Sequence, residues 1–228
     1  MSMKYIRLIC IICVALVSIE GFAQGKITRP TKTQHQPSAA AKQKSTTGTI
    51  NGHEWVDLGL PSRVKWATCN VGASSPSDYG NYYAWGETTT KSEYIKNNSK
   101  TYGKSIDNIS DNAQYDAARA NWGDSWRLPT KTECEELKNK CTWSWTTQDG
   151  HKGYKVTGPN GKSIFLPAAG FRHITSLYDT GDNGYYWSST TDDKKDFGNA
   201  SYFAFSTKDK FIGRGSCQYG FSLRPVLR

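Results

Sequence analysis

The sequence predicts an α+β domain beyond residue 50, and three observations carry that reading. Of the 29 aromatic residues in the 228-residue chain, only Tyr5 and Phe22 precede residue 51, and the density that remains excludes a disordered polymer. Capping signals and helical spacing occur twice between residues 111 and 141, and period-two alternation follows from Trp143 onward. After the N-terminus no apolar run reaches the roughly 18 residues of a membrane helix. Residues 51–228 therefore read as one globular domain with its own core.

Met1 to Ala23 reads as a secretory signal. Lys4 and Arg7 precede the apolar stretch Leu8 to Ile19, and Gly21-Phe22-Ala23 offers small residues for cleavage before Gln24. Cys10 and Cys13 raise a lipoprotein anchor as the competing reading, but bulky Ile9 and Ile12 precede them. Residues 24–50 read as a disordered basic tether, rich in Thr, Lys, Gln, Ser and Ala and without apolar periodicity.

Glu54 to Leu58 and Val64 to Thr68 read as strands joined by a turn at Gly59 and Pro61. Asp111 is the expected cap of a first helix running to about Trp122, with Gln114 at its third position. The second helix has the cleaner signature: Thr130 and Glu133 form a capping box after Pro129, and Cys134, Leu137 and Cys141 recur on one face. Trp143 and Trp145 then point to one side of a half-buried strand. Tyr154 to Thr157 and Ser163 to Leu166 flank Gly158-Pro159-Asn160-Gly161, a hairpin signal in which Asn-Gly supplies the positive φ angles. Tyr185 to Ser189, Tyr202 to Ser206 and Phe221 to Leu227 are further strands. Between them lie long loops, His173 to Gly184 and Thr190 to Asn199, which in a compact domain are functional or mobile.

The formal charge of +9 is concentrated outside the domain. Residues 25–50 carry five basic side chains and no acid, whereas residues 51–228 carry 22 basic and 19 acidic ones. That balance lacks the electrostatic footprint of a nucleic-acid binder. Beyond the signal stand Cys69, Cys134, Cys141 and Cys217, an even number that an exported protein is free to oxidise. Three pairings are open; Cys134 with Cys141 is disfavoured because seven residues of helix separate them by about 10.5 Å. Buried thiols acting as small hydrophobes are the alternative. No Cys/His spacing suggests zinc.

The motifs Trp126-Arg-Leu-Pro-Thr130 with Glu133, Phe165-Leu-Pro-Ala-Ala-Gly170, Tyr186-Trp-Ser-Ser189 and Leu223-Arg-Pro-Val226 stand in order along the domain. Together with Val56-Asp-Leu-Gly-Leu-Pro61, Trp66-Ala-Thr-Cys-Asn-Val-Gly72 and Tyr83-Ala-Trp-Gly86, they give a sequence that resembles the Fibrobacter succinogenes major paralogous domain family. The resemblance spans nearly the whole domain. That family is abundant in exported proteins of Bacteroidetes and Fibrobacteres and is related in fold to C-type-lectin-like domains of the formylglycine-generating-enzyme type. It implies two helices, a twisted and mostly antiparallel sheet, and chain ends that lie close together. Fold alone does not name an activity.

The related formylglycine-generating enzymes use a pair of cysteines near the C-terminus to bind copper, and Arg214-Gly-Ser-Cys217 looks superficially similar. No second cysteine follows Cys217, and a lone thiolate is a poor Cu(I) site. His53, His151 and His173 are scattered, and no nucleophile-elbow, P-loop or zincin motif is present. The Arg127-to-Glu133 motif reads as scaffold, and the six tryptophans Trp66, Trp85, Trp126, Trp143, Trp145 and Trp187 read first as core, with sugar stacking as the sharper alternative. The segment from His173 to Tyr219 combines Tyr with Ser, Asn, Gly and Asp, a composition suited to contact surfaces. In related lectin-type scaffolds this region faces the ligand.

The expectation is therefore an exported, non-enzymatic recognition module, secreted or held at the cell surface, with a periplasmic stop as the other destination. Its expected ligand is a glycan or a surface protein, contacted by Tyr178, Asp182, Asn183, Asp193 and Tyr202. Asp179, Asp182 and Asn183, and the cluster Asp192, Asp193 and Asp196, would also suit calcium, although turn propensity alone explains Asp-Asn-Gly. A divergent oxidase acting through Cys217 and a structural domain of an envelope assembly are the rival readings.

Overall fold

The computed structural model describes residues 45–191 and 198–228. The predicted signal peptide, most of the tether and Asp193 lie outside the described residues. The architecture is mostly β, with two short helices and antiparallel strand pairing throughout its sheets.

β1 (Thr47–Ile50), β2 (His53–Asp57) and β3 (Lys65–Ala67) open the chain. The last residues of the predicted tether are thus a strand rather than linker. Asn51 and Gly52, both at positive φ, form the two-residue turn that folds β1 back on β2. A short 3₁₀ turn, Lys96–Asn98, lies in the long connection to α1 (Ala117–Trp122). β4 (Trp126–Arg127), α2 (Lys131–Lys140), β5 (Thr142–Gln148), β6 (His151–Thr157) and β7 (Ser163–Pro167) follow. β8 (Phe171–His173) and β9 (Ser176–Tyr178) form a hairpin whose turn and second strand occupy the start of the loop predicted from His173 to Gly184. β10 (Gly184–Trp187), β11 (Asn199–Phe205), β12 (Lys210–Ser216) and β13 (Val226–Leu227) complete the domain.

Five strands form one sheet in the order β1-β2-β3-β13-β4, so the first and last strands belong to the same layer. β10-β11-β12 and β5-β6-β7 form two further sheets. Alternation of side chains explains how one domain holds two large apolar clusters. Trp187, Ala200 and Tyr202 face one cluster with Trp85 and Phe221, whereas Tyr186, Phe203 and Phe205 face the other with Leu137, Tyr154 and Leu166. The five-stranded sheet divides in the same way, Trp55 and Ala67 on one side, Val56 and Trp66 on the other.

Helix α2 starts as the sequence predicts. The Thr130 hydroxyl accepts from Glu133 N–H at 3.2 Å, and a Glu133 carboxylate oxygen accepts from Thr130 N–H at 2.8 Å. Cys134 and Leu137 are buried, and Cys141 is the residue at which the helix ends. No disulfide joins Cys69, Cys134, Cys141 and Cys217 among the described residues. Of the Asn160-Gly161 pair only Gly161 has positive φ, at 79°, because the connection is longer than a two-residue turn.

Helix α1 begins later than predicted. Asp111 lies in the left-handed region at φ 65°, and its carboxylate accepts from Arg228 Nη2 at 2.9 Å. The cap is Asp116: Oδ1 accepts from Ala118 N–H at 3.0 Å and Arg119 N–H at 3.3 Å, while Oδ2 accepts from Leu128 N–H at 2.9 Å. One buried carboxylate thus fastens the start of α1 to the strand that leads into α2.

Burial pushes the Asp116 carboxyl up to about 6, although these backbone donors favour its charged form. A folded pKa above the unfolded value near 3.9 means that the native state keeps its proton longer on deprotonation. This group's contribution is fully present below about pH 4 and is lost as pH rises through about 6, a swing on the order of 3 kcal/mol. NMR titration of the Asp116 carboxyl carbon is expected to show a midpoint near 6, and a midpoint in the ordinary carboxylate range would refute the assignment.

Candidate functional site

The C-terminal half presents a continuous aromatic face built from β8, β9, β10, β11 and β12. Tyr178 stacks on Phe171 with ring centroids 5.4 Å apart and 26° between planes. Phe171 meets Tyr185 edge-on at 5.1 Å, Tyr185 lies 6.0 Å from Tyr202, and Tyr202 lies 6.2 Å from Phe211. Tyr178 and Phe211, at the two ends of this row, are each 43 % exposed. The three rings between them are half-buried and pack on the cluster that contains Trp187 and Phe221. Edge-on and offset contacts of this kind add attraction beyond the buried area and hold the rings in place.

The register of β11 on β12 explains the position of Tyr202. Tyr202 is opposite Gly213, and a Cβ at Gly213 would stand 2.6 Å from its Cζ. Gly213 and Gly215 leave a bare strip of backbone on which the ring lies. Tyr202 therefore serves packing with its inner surface and exposes only part of the ring.

Asp182 and Asn183 lie in the turn between β9 and β10. Asp179, at φ 58°, starts this turn. Its carbonyl accepts from Asp182 N–H at 3.1 Å and Asn183 N–H at 3.0 Å. The Asp179 Oδ2 accepts from the Tyr185 hydroxyl at 2.8 Å and from Asn183 Nδ2 at 3.1 Å. Burial and the neighbouring Asp179 charge push the Tyr185 phenol well above its ordinary range, so its hydroxyl is a donor at neutral pH. Asn183 is thereby used largely inside the turn, while Asp182 is exposed.

Of the five predicted contacts, Tyr178, Asp182 and Asn183 share one end of this face. Tyr202 lies farther along the same row of rings, and Asp193 lies outside the described residues. Phe171 and Phe211 also belong to this row of rings and are not among the predicted contacts. The Gly213-x-Gly215 pattern on β12 was the available signal for a ring packed across that strand. The hairpin tip adds Ile174 and Leu177, both exposed. Ile174 holds φ 54°, a left-handed conformation that is costly for a β-branched residue, and is fastened to Tyr94 by two backbone hydrogen bonds of 2.8 and 3.1 Å.

The remaining chemistry-bearing groups do not converge. His53 stacks on Trp122 at 3.7 Å, His151 meets Tyr79 edge-on at 4.7 Å, and His173 meets Tyr219 edge-on at 5.0 Å. Cys217 is buried in the first cluster. Among the described residues no three His, Cys, Asp or Glu side chains come together as metal ligands, and the acids from Asp192 to Asp196 lie outside them. No described helix is long and apolar enough to cross a membrane. No protein-family model, curated protein or solved structure matches the chain.

Proposed function

We propose that this chain is an exported, non-enzymatic recognition module with a C-type-lectin-like scaffold, related to the Fibrobacter succinogenes major paralogous domains. It binds a glycan or a surface protein through the aromatic face from Tyr178 to Phe211. The observation that carries this reading is the stacking of Tyr178 on Phe171: one side of the phenol ring is held by protein while much of the side chain is left to solvent. A ring immobilised in this way loses little entropy on contact, which is what a binding surface requires. Asp182, exposed in the turn that follows β9, supplies a hydrogen-bond acceptor.

The test is a binding screen of the full chain against glycans and purified surface proteins, with and without calcium. Tyr178→Ala and Phe211→Ala are expected to weaken the captured ligand by about 5- to 150-fold, the range of about 1–3 kcal/mol for a central contact, with little change in melting temperature. Normal binding by both variants, together with loss of binding in well-folded variants altered outside residues 171–219, would overturn the assignment of the face.

A further inference from the structure

β5 is an outer strand of the β5-β6-β7 sheet, and the hydrogen bonds of its neighbour fix which of its groups face outward. In an antiparallel pair, alternate residues turn both N–H and C=O toward the partner strand and the others turn both away. The Lys152 carbonyl accepts from Ala168 N–H at 2.8 Å, on the β7 side. Thr147, directly opposite Lys152, therefore turns its own groups away from β6. The turn gives the same phase: Asp149 and Gly150, at φ 47° and 83°, form a two-residue connection that leaves Gln148 and His151 as a bonded pair. The outward N–H and C=O groups on β5 thus belong to Trp143, Trp145 and Thr147, and among the described residues no strand or bridge pairs with them on that side.

An open strand edge is a template for further pairing, and folded proteins guard such edges with charge, proline, bulges or short length. Among the described residues β12 is the other seven-residue strand at a sheet edge, and it carries Lys210, Arg214 and two glycines. β5 has no such guard: Thr142-Trp-Ser-Trp-Thr-Thr-Gln148 is uncharged, lacks proline and glycine, and is rich in residues that favour strands. Thr142, Ser144 and Thr146 are exposed on one face, while Trp143 and Trp145 are half-buried on the other against Tyr154 and Phe205. The edge is also self-complementary. A second β5 laid antiparallel with Trp145 opposite Trp145 sets Trp143 opposite Thr147 on both sides of the axis, so every outward N–H meets an outward C=O. A slip of two residues leaves an outward residue of each copy unpaired. The same register brings Lys140, exposed at the end of α2, toward the exposed Asp149 of the second copy, which places opposite charges at both ends of the row.

We propose that the chain forms a two-fold dimer through β5, in which the β5-β6-β7 sheet of one copy continues into that of a second copy as one six-stranded sheet. Pairing about a single dyad occupies the edge and closes the assembly, so the strand that would otherwise template open-ended association is covered by its own counterpart. Trp145 meets the second copy's Trp145 at the axis, and such a cross-strand aromatic pair adds to the backbone hydrogen bonds. The dimer does not depend on the aromatic face, which lies on β8 to β12.

The experiment is sedimentation equilibrium of the full chain, joined to amide exchange at low and high protein concentration. A monomer–dimer equilibrium is expected. Raising the concentration should slow exchange at Trp143, Trp145 and Thr147, whereas the Ser144 and Thr146 amides, bonded to β6, stay protected throughout. Thr147→Pro removes an outward N–H that the monomer does not use, and should raise the dissociation constant about 30- to 100-fold through the hydrogen bond lost at each end of the row. In the paired register Ser144 is opposite Thr146 of the second copy at a position without mutual hydrogen bonds, where side chains approach most closely. Ser144→Lys with Thr146→Lys should therefore give a monomer, and Ser144→Glu with Thr146→Lys should restore the dimer. A chain that stays monomeric up to about 1 mM, a dimer that these substitutions leave unchanged, or concentration-dependent protection at Ser144 and Thr146 instead would overturn the proposal. The exchange pattern and the charge-swapped pair test it even if Thr147→Pro fails to fold.

Discussion

Glu133→Ala is expected to destabilise the protein by about 3–5 kcal/mol, the cost of removing one partner from a buried ion pair. Arg127 Nη1 donates to Glu133 Oε2 at 2.8 Å and Nη2 to Oε1 at 2.6 Å, a two-point contact between side chains that are both almost wholly buried. Burial alone would raise the Glu133 carboxyl, but the Arg127 guanidinium and the Thr130 N–H hold it below the ordinary range. Removing it strands a guanidinium and leaves the Thr130 N–H without its carboxylate acceptor, while the Thr130 hydroxyl still caps α2. Glu133→Gln keeps one acceptor oxygen for Thr130 N–H and Arg127 Nη1 but loses the charge and the acceptor for Arg127 Nη2, so a loss smaller than that of Glu133→Ala is expected. Arg127→Met combined with Glu133→Leu should recover much of the stability, because the cost lies in the orphaned charge rather than in the absence of the pair. Urea unfolding of the four proteins decides the matter, and a loss under about 1 kcal/mol for Glu133→Ala would mean that water reaches the junction.

Trp187→Ala should cost a similar amount, about 3–5 kcal/mol, through loss of a fully buried indole and the cavity left in its place. Trp187 has no exposed surface. Its ring stacks on Phe221 at 4.2 Å and meets Tyr202 edge-on at 6.0 Å, and its Nε1–H donates to the Tyr83 carbonyl at 2.9 Å. That carbonyl also accepts from Phe221 N–H at 3.1 Å. Trp187→Phe therefore leaves no orphaned acceptor, and its smaller loss reflects the reduced volume and one lost hydrogen bond. Because Tyr202 and Phe221 rest on this indole, Trp187→Ala should also loosen the aromatic face, seen as faster amide exchange along β11. Unchanged exchange there with a full loss of global stability would separate the core from the face.

These expectations also mark where sequence reasoning succeeded. The capping box of Thr130 and Glu133, the half-buried alternation of Trp143 and Trp145 and the hairpin around Gly161 depend on neighbours within a few residues, and each was legible in the chain. The count of aromatic residues established that a folded domain follows the N-terminal segments. The charge also divides along the chain, with five basic side chains and no acid in residues 25–50 against 22 basic and 19 acidic ones in residues 51–228.

What the tertiary structure decided depends on partners distant in the chain. Asp116 rather than Asp111 caps α1 because its carboxylate is buried where Leu128 N–H reaches it, a contact that local propensity does not encode. Thr47–Ile50 reads as tether and becomes a strand because β2 is there to pair with it. Tyr178 and Tyr202 looked equivalent as tyrosines in a polar segment; Gly213, opposite Tyr202 across the sheet, turns that ring inward while Phe171 leaves Tyr178 facing out. Arg224 is the extreme case. Its acceptors are more than 150 positions away, so the sequence shows an ordinary cation before a proline, and only the packed interior shows a buried guanidinium bonded to Asn70 and to the carbonyls of Ala67 and Thr68.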